Sequence, residues 1–387
     1  MSTSLPSVAT TMNRQRDFPQ LELVGAWLEE LQARTVFIVA DPEGYAASGA
    51  AGRLQGLLGQ RAVTLFNNVG RPPLESQVVA GVAAFRAAQP DVMLAIGGGA
   101  ALDLAKAVNH LAAQVVDPSL YLRRKPGGAM PGKPLMAIPT TGGSGAEATH
   151  FAVIHADDGM IHFVAHAHMR PQCVVLDSSL LGALSAAEVA GSGLGALALA
   201  LESMWDIQAN EGTIGYAQEA LRLLMEHLEN EFYGATVEGR AGLLRAANLA
   251  GKSADLIAPA FLIAAAGALS VRTGVPYGRL AGVLLLRLLD YNRQVSTADC
   301  ADLRGPNTVQ MRFVHMAQSL GVNSAEQSVE RLTQMLGALQ IPARLGDLGV
   351  QLAHVQEVAR LLPSKLYAHN TRRLSPQNLN LLLSGLI

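Results

Sequence analysis

Hydrophobic positions along the chain change their period near residue 180, and that change divides the molecule. Before it, short β-branched runs alternate with stretches in which apolar residues recur every three to four positions, the pattern of βαβ units around a parallel sheet. Thr35–Ala40 and Ala62–Phe66 read as buried strands, residues 92–96 as a third, and 134–137 and 173–176 as two more. Residues 45–58 and 74–88 supply the crossover helices between them. After residue 180 Leu, Ala and Met recur at helical spacing through 221–228, 241–250, 280–289, 309–320 and 329–339, which predicts an all-helical second domain. The expected division is a loose arm over 1–17, an α/β domain over 18–180 with its boundary at 178–183, and a helical domain over 181–387. The apolar run 256–271 is short for a membrane span and contains Pro259 and Gly267, so it is expected to be a helix buried among other helices.

Chemistry concentrates at the carboxyl ends of the predicted strands, where α/β sheets hold their ligands. Gly97-Gly98-Gly99 follows one strand and opens a helix near Ala100, so backbone N–H groups and the positive end of the helix dipole converge on a diphosphate-sized point. A second polar loop, Pro139-Thr140-Thr141-Gly142-Gly143-Ser144-Gly145, follows another strand, and Asp41 ends a third. Asp41 is placed to accept hydrogen bonds from an adenosine ribose and to repel a 2′-phosphate, which favours NAD over NADP. Asp103 and Lys106, one turn apart, either contact the ribose or diphosphate or pair with each other on the helix. The expected cofactor contacts are therefore Asp41, Gly97, Gly98, Gly99, Asp103, Lys106, Thr140, Thr141 and Ser144.

Composition removes several function classes. Half of the 387 residues are hydrophobic, 16% are charged, and the formal net charge is −2, which leaves no basic field for nucleic acid or anionic lipid. Cys173 and Cys300 are the two cysteines and have no paired spacing, so neither a disulfide framework nor a thiolate zinc site is expected, and a reducing cytoplasm fits. The first 16 residues lack the apolar core of a signal peptide.

As a set, several segments resemble the iron-containing alcohol dehydrogenases, a family that also includes the maleylacetate reductases. They are Gly97 to Ala100 with Asp103 and Lys106, the loop from Pro139 to Glu147, Pro171 with Leu176-Asp177, the helix from Ser192 through Glu202, Val275-Pro276 with Gly278, Asn292, and Asn370-Thr371-Arg372-Arg373-Leu374-Ser375. The resemblance runs from Phe18 over nearly the whole chain. It implies the iron-type alcohol dehydrogenase and dehydroquinate synthase-like fold, a parallel-sheet dinucleotide-binding domain followed by an all-α domain, with an alcohol or carbonyl substrate in the cleft between them. A homodimer is also implied.

The departures bear on mechanism. The family's metal-ligand positions fall on Gly195, Leu199, Ile263 and Tyr277, and a further family histidine falls on Gly267. Apolar side chains offer no donor atom, so neither iron nor zinc is expected there. Asn replaces the Asp ligand in the resembling maleylacetate reductase helix, yet the histidines which that branch keeps are also missing here. With no metal to polarise a carbonyl, Tyr277 becomes the candidate proton donor or anion anchor, flanked by Arg272 and Arg279 as cations expected to lower its pKa. Otherwise Tyr277 fills vacated space and both arginines are surface residues.

Five histidines, His150, His155, His162, His166 and His168, fall in a strand-rich hairpin, where the family's usual lysine is replaced by Ile161 or His162. His166 and His168 would share one strand face, and they read either as metal ligands or as surface residues. Two functional readings stand: an NAD-dependent oxidoreductase that works without metal, or a catalytically inactive dinucleotide-binding relative with a regulatory or assembly role.

Overall fold

The computed structural model describes residues 15–124, 129–156, 158–257 and 261–387. In chain order its strands are β1 (Arg16–Phe18), β2 (Thr35–Ala40), β3 (Ala62–Phe66), β4 (Val92–Gly97), β5 (Leu135–Pro139), β6 (Phe151–His155), β7 (Ile161–Ala165) and β8 (Cys173–Val175). Six of them form a parallel sheet in the order β1-β8-β5-β4-β2-β3, while β6 and β7 form an antiparallel hairpin. Helices α1 (Leu23–Glu30), α2 (Pro42–Ala47), α3 (Ala50–Leu58), α4 (Glu75–Ala88), α5 (Gly99–Ala112) and α6 (Pro118–Arg124) belong to this half.

Side-chain alternation on the central strands builds two cores. Phe37, Val39, Met93 and Ala95 pack against Val78, Val82 and Phe85 of α4 and the buried side of α5. Val36, Ile38, Leu94 and Ile96 pack on the other face against Trp27 and Leu28 of α1 and Leu54 of α3. Burial on both faces is why these strands are continuous apolar runs. The chain leaves β2 toward β3 and then crosses to β4 on the opposite side of β2. The carboxyl ends of β2 and β4 therefore flank a topological switch point, where such sheets open a ligand crevice.

The second half is helical: α7 (Ala186–Trp205), α8 (Glu211–Tyr233), α9 (Val237–Asp255), α10 (Phe261–Thr273), α11 (Tyr277–Asn292), α12 (Pro306–Ser319), α13 (Ala325–Ala338), α14 (Leu352–Leu361) and α15 (Pro376–Ser384). Helix α7 starts at a reciprocal cap between Ser185 and Glu188 and is apolar all round, the mark of a central helix. The β6–β7 hairpin joins the two halves. Phe151, Val153 and Ile161 are buried in the helical core, whereas Ala152, Ile154 and Val164 point into the α/β core.

Four details differ from the sequence reading. Arg16–Phe18 pairs in register with Cys173–Val175, so the last residues assigned to a loose arm form an edge strand, and 1–14 lie outside the described residues. Residues 62–65 are exposed, because β3 is the other edge strand and only one side of it meets a neighbour. The single helix expected over 45–58 is two helices broken at Gly49, whose φ of +75° suits glycine. In the run 256–271, Leu256 and Val271 are exposed, the helix is α10, and 258–260 lie outside the described residues.

Candidate active site in the interdomain cleft

Gly98, Gly99 and Ala100 are half-exposed at the start of α5, although the strand before them is buried. Gly98 is the cap position and offers no side-chain acceptor, so the first N–H groups of the helix are available to an anion. Opposite lies the Thr140–Gly145 loop. A Cβ at Gly99 would stand 2.5 Å from Cβ of Ser144 and one at Gly98 would stand 3.4 Å from Oγ1 of Thr141. Thr141 and Ser144 are also half-exposed, and Thr140 is buried with its N–H donating to the Gly97 carbonyl at 3.0 Å. The two sequence-predicted loops thus meet edge to edge as a cradle, and its backbone donors fit a dinucleotide diphosphate.

Asp41 stands where predicted, at the end of β2, and its carboxylate is occupied. Oδ1 accepts the Glu43 N–H at 3.2 Å, and Oδ2 is ion-paired with the Arg71 guanidinium. Arg71 was missed in the sequence. It lies just beyond β3, the strand next to β2, and that placement is the signal that could have found it.

Of the two alternatives for Asp103 and Lys106, the structure has them paired at 2.9 Å. Lys106 is fully buried and also donates to Thr149 Oγ1 at 2.7 Å and to the Phe151 carbonyl. Oδ2 of Asp103 accepts the Val153 N–H at 3.0 Å. Both therefore anchor the hairpin to α5, and Asp103 alone keeps a half-exposed surface.

Three helices each open a single residue in an otherwise buried run: Asp103 within 101–111 of α5, Ser192 within 189–205 of α7, and Ile263 within 261–270 of α10. Ser192 backs onto Gly143, where a Cβ would stand 2.6 Å from the Ser192 carbonyl oxygen. Gly278, at which any side chain would overlap the Gly191 carbonyl, lets α11 lie on α7 and carries Tyr277 to Gly195. A Cβ at 195 would stand 3.2 Å from Cε1 of that ring, so the phenol takes up the room left by the smallest side chain.

The expected arginine effect on Tyr277 is not found. Burial raises the phenol pKa, and the carboxylates of Glu202 and Asp103 push the same way. Arg272 is instead committed to Glu357 at 2.9 Å and to the Ala268 carbonyl at 3.0 Å. Arg279 is half-buried, and its Nε has no hydrogen-bond partner among the described residues. Glu202, on the same helix as Gly195, caps α10 by accepting N–H from Phe261 at 3.0 Å and from Leu262 at 3.2 Å.

Of the four positions onto which the resemblance carries the family's metal ligands, only Tyr277 has a donor atom, and one hydroxyl does not fit a metal site. Side chains at 195, 199 and 263 have no oxygen, nitrogen or sulfur, and among the described residues no three His, Cys, Asp or Glu converge as a cage. Iron and zinc need several such donors at fixed distances.

The histidines form no metal cage among the described residues, although the His166 ring lies 4.5 Å from that of His168 and 5.3 Å from that of His110, centroid to centroid. Buried His162 meets Glu75 at 3.0 Å, and His150 meets Asp255 at 2.6 Å. His166 and His168 do not share a strand face: a 3-10 turn over Ala167–Met169 follows His166, whose Nδ1 accepts the His168 N–H. A concavity of about 340 Å³ beside β3, lined by Ile38, Tyr45, Gln55, Leu58 and Leu65 among others, brings no charged groups together.

Comparison with known proteins agrees with this architecture. The pattern described as "Iron-containing alcohol dehydrogenase" matches residues 18–178, and that described as "Fe-containing alcohol dehydrogenase family, C-terminal" matches 189–385. The chain is 31% identical over 325 residues to a phosphonoacetaldehyde reductase of Streptomyces viridochromogenes, covering 81% of this chain and 80% of that one. Its fold matches a crystal structure of 1,3-propanediol oxidoreductase with TM-score 0.84 at 24% identity, covering 97% and 98% of the two chains. It also matches a sulfoacetaldehyde reductase from Bifidobacterium kashiwanohense solved in complex with NAD+, with TM-score 0.81 at 19% identity over 96% of each chain. With both of its halves accounted for, the chain belongs to the iron-containing alcohol dehydrogenase family.

Proposed function

We propose that this protein is a nicotinamide-dependent oxidoreductase that interconverts an alcohol and its carbonyl compound without a catalytic metal, with NAD as its cofactor. The observation that carries the proposal is the half-exposed turn Gly98–Ala100 at the amino end of α5. It opens on the cleft whose far wall holds the Tyr277 ring against Gly195. When bound, the reduced nicotinamide supplies a hydride to the carbonyl carbon. The protein's part is to hold the diphosphate on the α5 amino terminus, to keep water from the cleft, and to protonate the oxygen. Tyr277 suits the last task, because a phenol with a raised pKa is still more acidic than an aliphatic alcohol and gives up its proton only as the alkoxide forms.

The test is titration of the purified protein with NADH and NADPH by fluorescence, beside a measurement of bound metal. Micromolar NADH binding with less than about a tenth of an equivalent of iron or zinc is the expected result. Lack of dinucleotide binding would overturn the proposal, and so would activity that needs a stoichiometric metal. A catalytically inactive dinucleotide-binding relative is the second reading, and the donor-free positions 195, 199 and 263 favour it. Binding of NADH with no turnover of any aldehyde would establish it.

A further inference from the structure

His155 ends β6 on the same face as Phe151 and Val153, both buried in the helical core, so its ring crosses from the α/β half toward α10. There it meets Gly267. A Cβ built at Gly267 would stand 2.8 Å from His155 Nε2 and 3.0 Å from Cε1. The imidazole thus occupies the space in which a side chain at 267 would begin, one turn of α10 beyond the half-exposed Ile263. The other end of this strand face adjoins the cleft as well. Val153 is held by Asp103, the carboxylate that acts on Tyr277, and two strand residues span roughly 7 Å. His155 therefore lies two strand residues from the one that Asp103 holds, on the same face of the hairpin.

The ring's surroundings also suit a polar task. His155 is only 3% exposed, and its ring has no hydrogen-bond partner among the described residues. The rings of His150, His162 and His166 each have one. Its backbone is secured, with the N–H donating to the Pro73 carbonyl at 3.0 Å. Burial first, then the Arg272 cation and His162, lowers its pKa to about 4, so the ring is neutral at physiological pH. A neutral imidazole keeps one N–H and binds a carbonyl oxygen as a donor.

We infer that His155 places an imidazole, from the opposite lobe, in the space that Gly267 leaves open, and that its Nε2–H binds the carbonyl oxygen of the substrate beside the Tyr277 hydroxyl. This rests on the oxidoreductase reading above. As the carbonyl carbon accepts the hydride, the C=O π pair moves onto oxygen, where His155 stabilises the charge. The oxygen then takes the phenol proton, and Tyr277 recovers one from water. His155 lends a hydrogen bond and loses no proton.

Two variants of similar volume separate this role from packing. His155→Leu fills the space without a donor, and His155→Gln restores an N–H near the Nε2 position. Expected are a kcat about a hundredfold lower for His155→Leu, a kcat within about tenfold of wild type for His155→Gln, and an unchanged NADH Kd for both. Binding of a short aliphatic amide, a carbonyl mimic that cannot be reduced, to the NADH complex should weaken about tenfold in His155→Leu alone. Gly267→Ala, whose methyl would crowd Nε2, should repeat the loss. Equal kcat and amide affinity in the Leu and Gln variants would overturn the inference while leaving the oxidoreductase reading intact. A wild-type protein that binds NADH and reduces nothing would instead overturn that reading, and this inference with it.

Discussion

Arg71 lays its guanidinium on the Asp41 carboxylate at the mouth of the crevice between β2 and β4. An unpaired aspartate here would repel a 2′-phosphate, but Arg71, which also stands 3.8 Å from Glu43, offsets the Asp41 charge and is about half exposed, with side-chain accessibility of 54%. A phosphate on the ribose could bind the same guanidinium. Discrimination by Asp41 against a 2′-phosphate therefore depends on a charge that Arg71 offsets. Wild-type protein should prefer NADH to NADPH by less than about tenfold, and Arg71→Gln should widen the preference by a further fivefold to tenfold, as an exposed charge contact is worth about 1 kcal/mol. Competing fluorescence titrations with the two nucleotides measure it. A preference unmoved by the substitution would show that Arg71 plays no part in the choice.

Tyr277 carries the clearest single-residue test of the cleft. Burial and the two carboxylates hold its phenol protonated through the physiological range, so activity should show no loss from phenol ionisation below pH 10. Tyr277→Phe keeps the packing on Gly195 and removes only the hydroxyl. Its kcat for aldehyde reduction should fall between tenfold and a thousandfold with NADH binding unchanged. Steady-state rates beside a binding titration check this, and full activity in Tyr277→Phe would assign the ring to packing.

Periodicity made most of the fold legible, because two-sided burial writes β2, β4 and β5 as unbroken apolar runs and the helical half as a 3.6-residue pattern. Arg16–Phe18 was invisible, since a three-residue edge strand with Arg and Asp in it has no periodic signal. Both glycine loops at the strand ends were readable from the sequence, whereas the commitment of Lys106 to Thr149 and Phe151 depends on a hairpin 43 and 45 residues further on. The direction of the Tyr277 shift was misread for a related reason. Arg272 and Arg279 are near in sequence, but Glu202 and Asp103, from two other helices, are the charges that act on the ring. His155 was hidden among four neighbours of its own kind, and its position on the Phe151 and Val153 face was the available clue.

Glu202 makes stability depend on pH. Burial raises its pKa to about 8, with Asp206 adding to the rise and the N–H groups of Leu262 and Phe261 opposing it. The folded state therefore holds a proton that the unfolded chain releases near pH 4.5. Between those values the unfolded state binds fewer protons, so this group's contribution to stability declines as pH rises from about 4.5 to about 8. Glu202→Gln keeps an acceptor for the α10 cap and cannot ionise. It should match wild type at pH 5 and exceed it by about 1–3 kcal/mol at pH 8.5. Urea unfolding at the two pH values reads the difference, and parallel losses in both proteins would place the titration elsewhere.

Substrate size is the last property the cleft constrains. Leu199 is buried and Ile263 half-buried at positions onto which the resemblance carries polar ligands, and Phe163 is another half-buried apolar residue packed on the same core. A short diol would meet these surfaces without partners for its second hydroxyl, and each such unmade hydrogen bond is costly. A longer alkyl chain would instead bury its methylenes, each worth about 0.8 kcal/mol or roughly fourfold in kcat/KM while space remains. With NADH saturating, kcat/KM should climb from acetaldehyde to hexanal by one to two orders of magnitude, and glycolaldehyde should be poorer than propanal. Leu199→Ala enlarges the wall and should move the optimum to a longer chain, at a stability cost of about 2–5 kcal/mol. A profile flat from two carbons to six would mean that the apolar positions lie outside the substrate's reach.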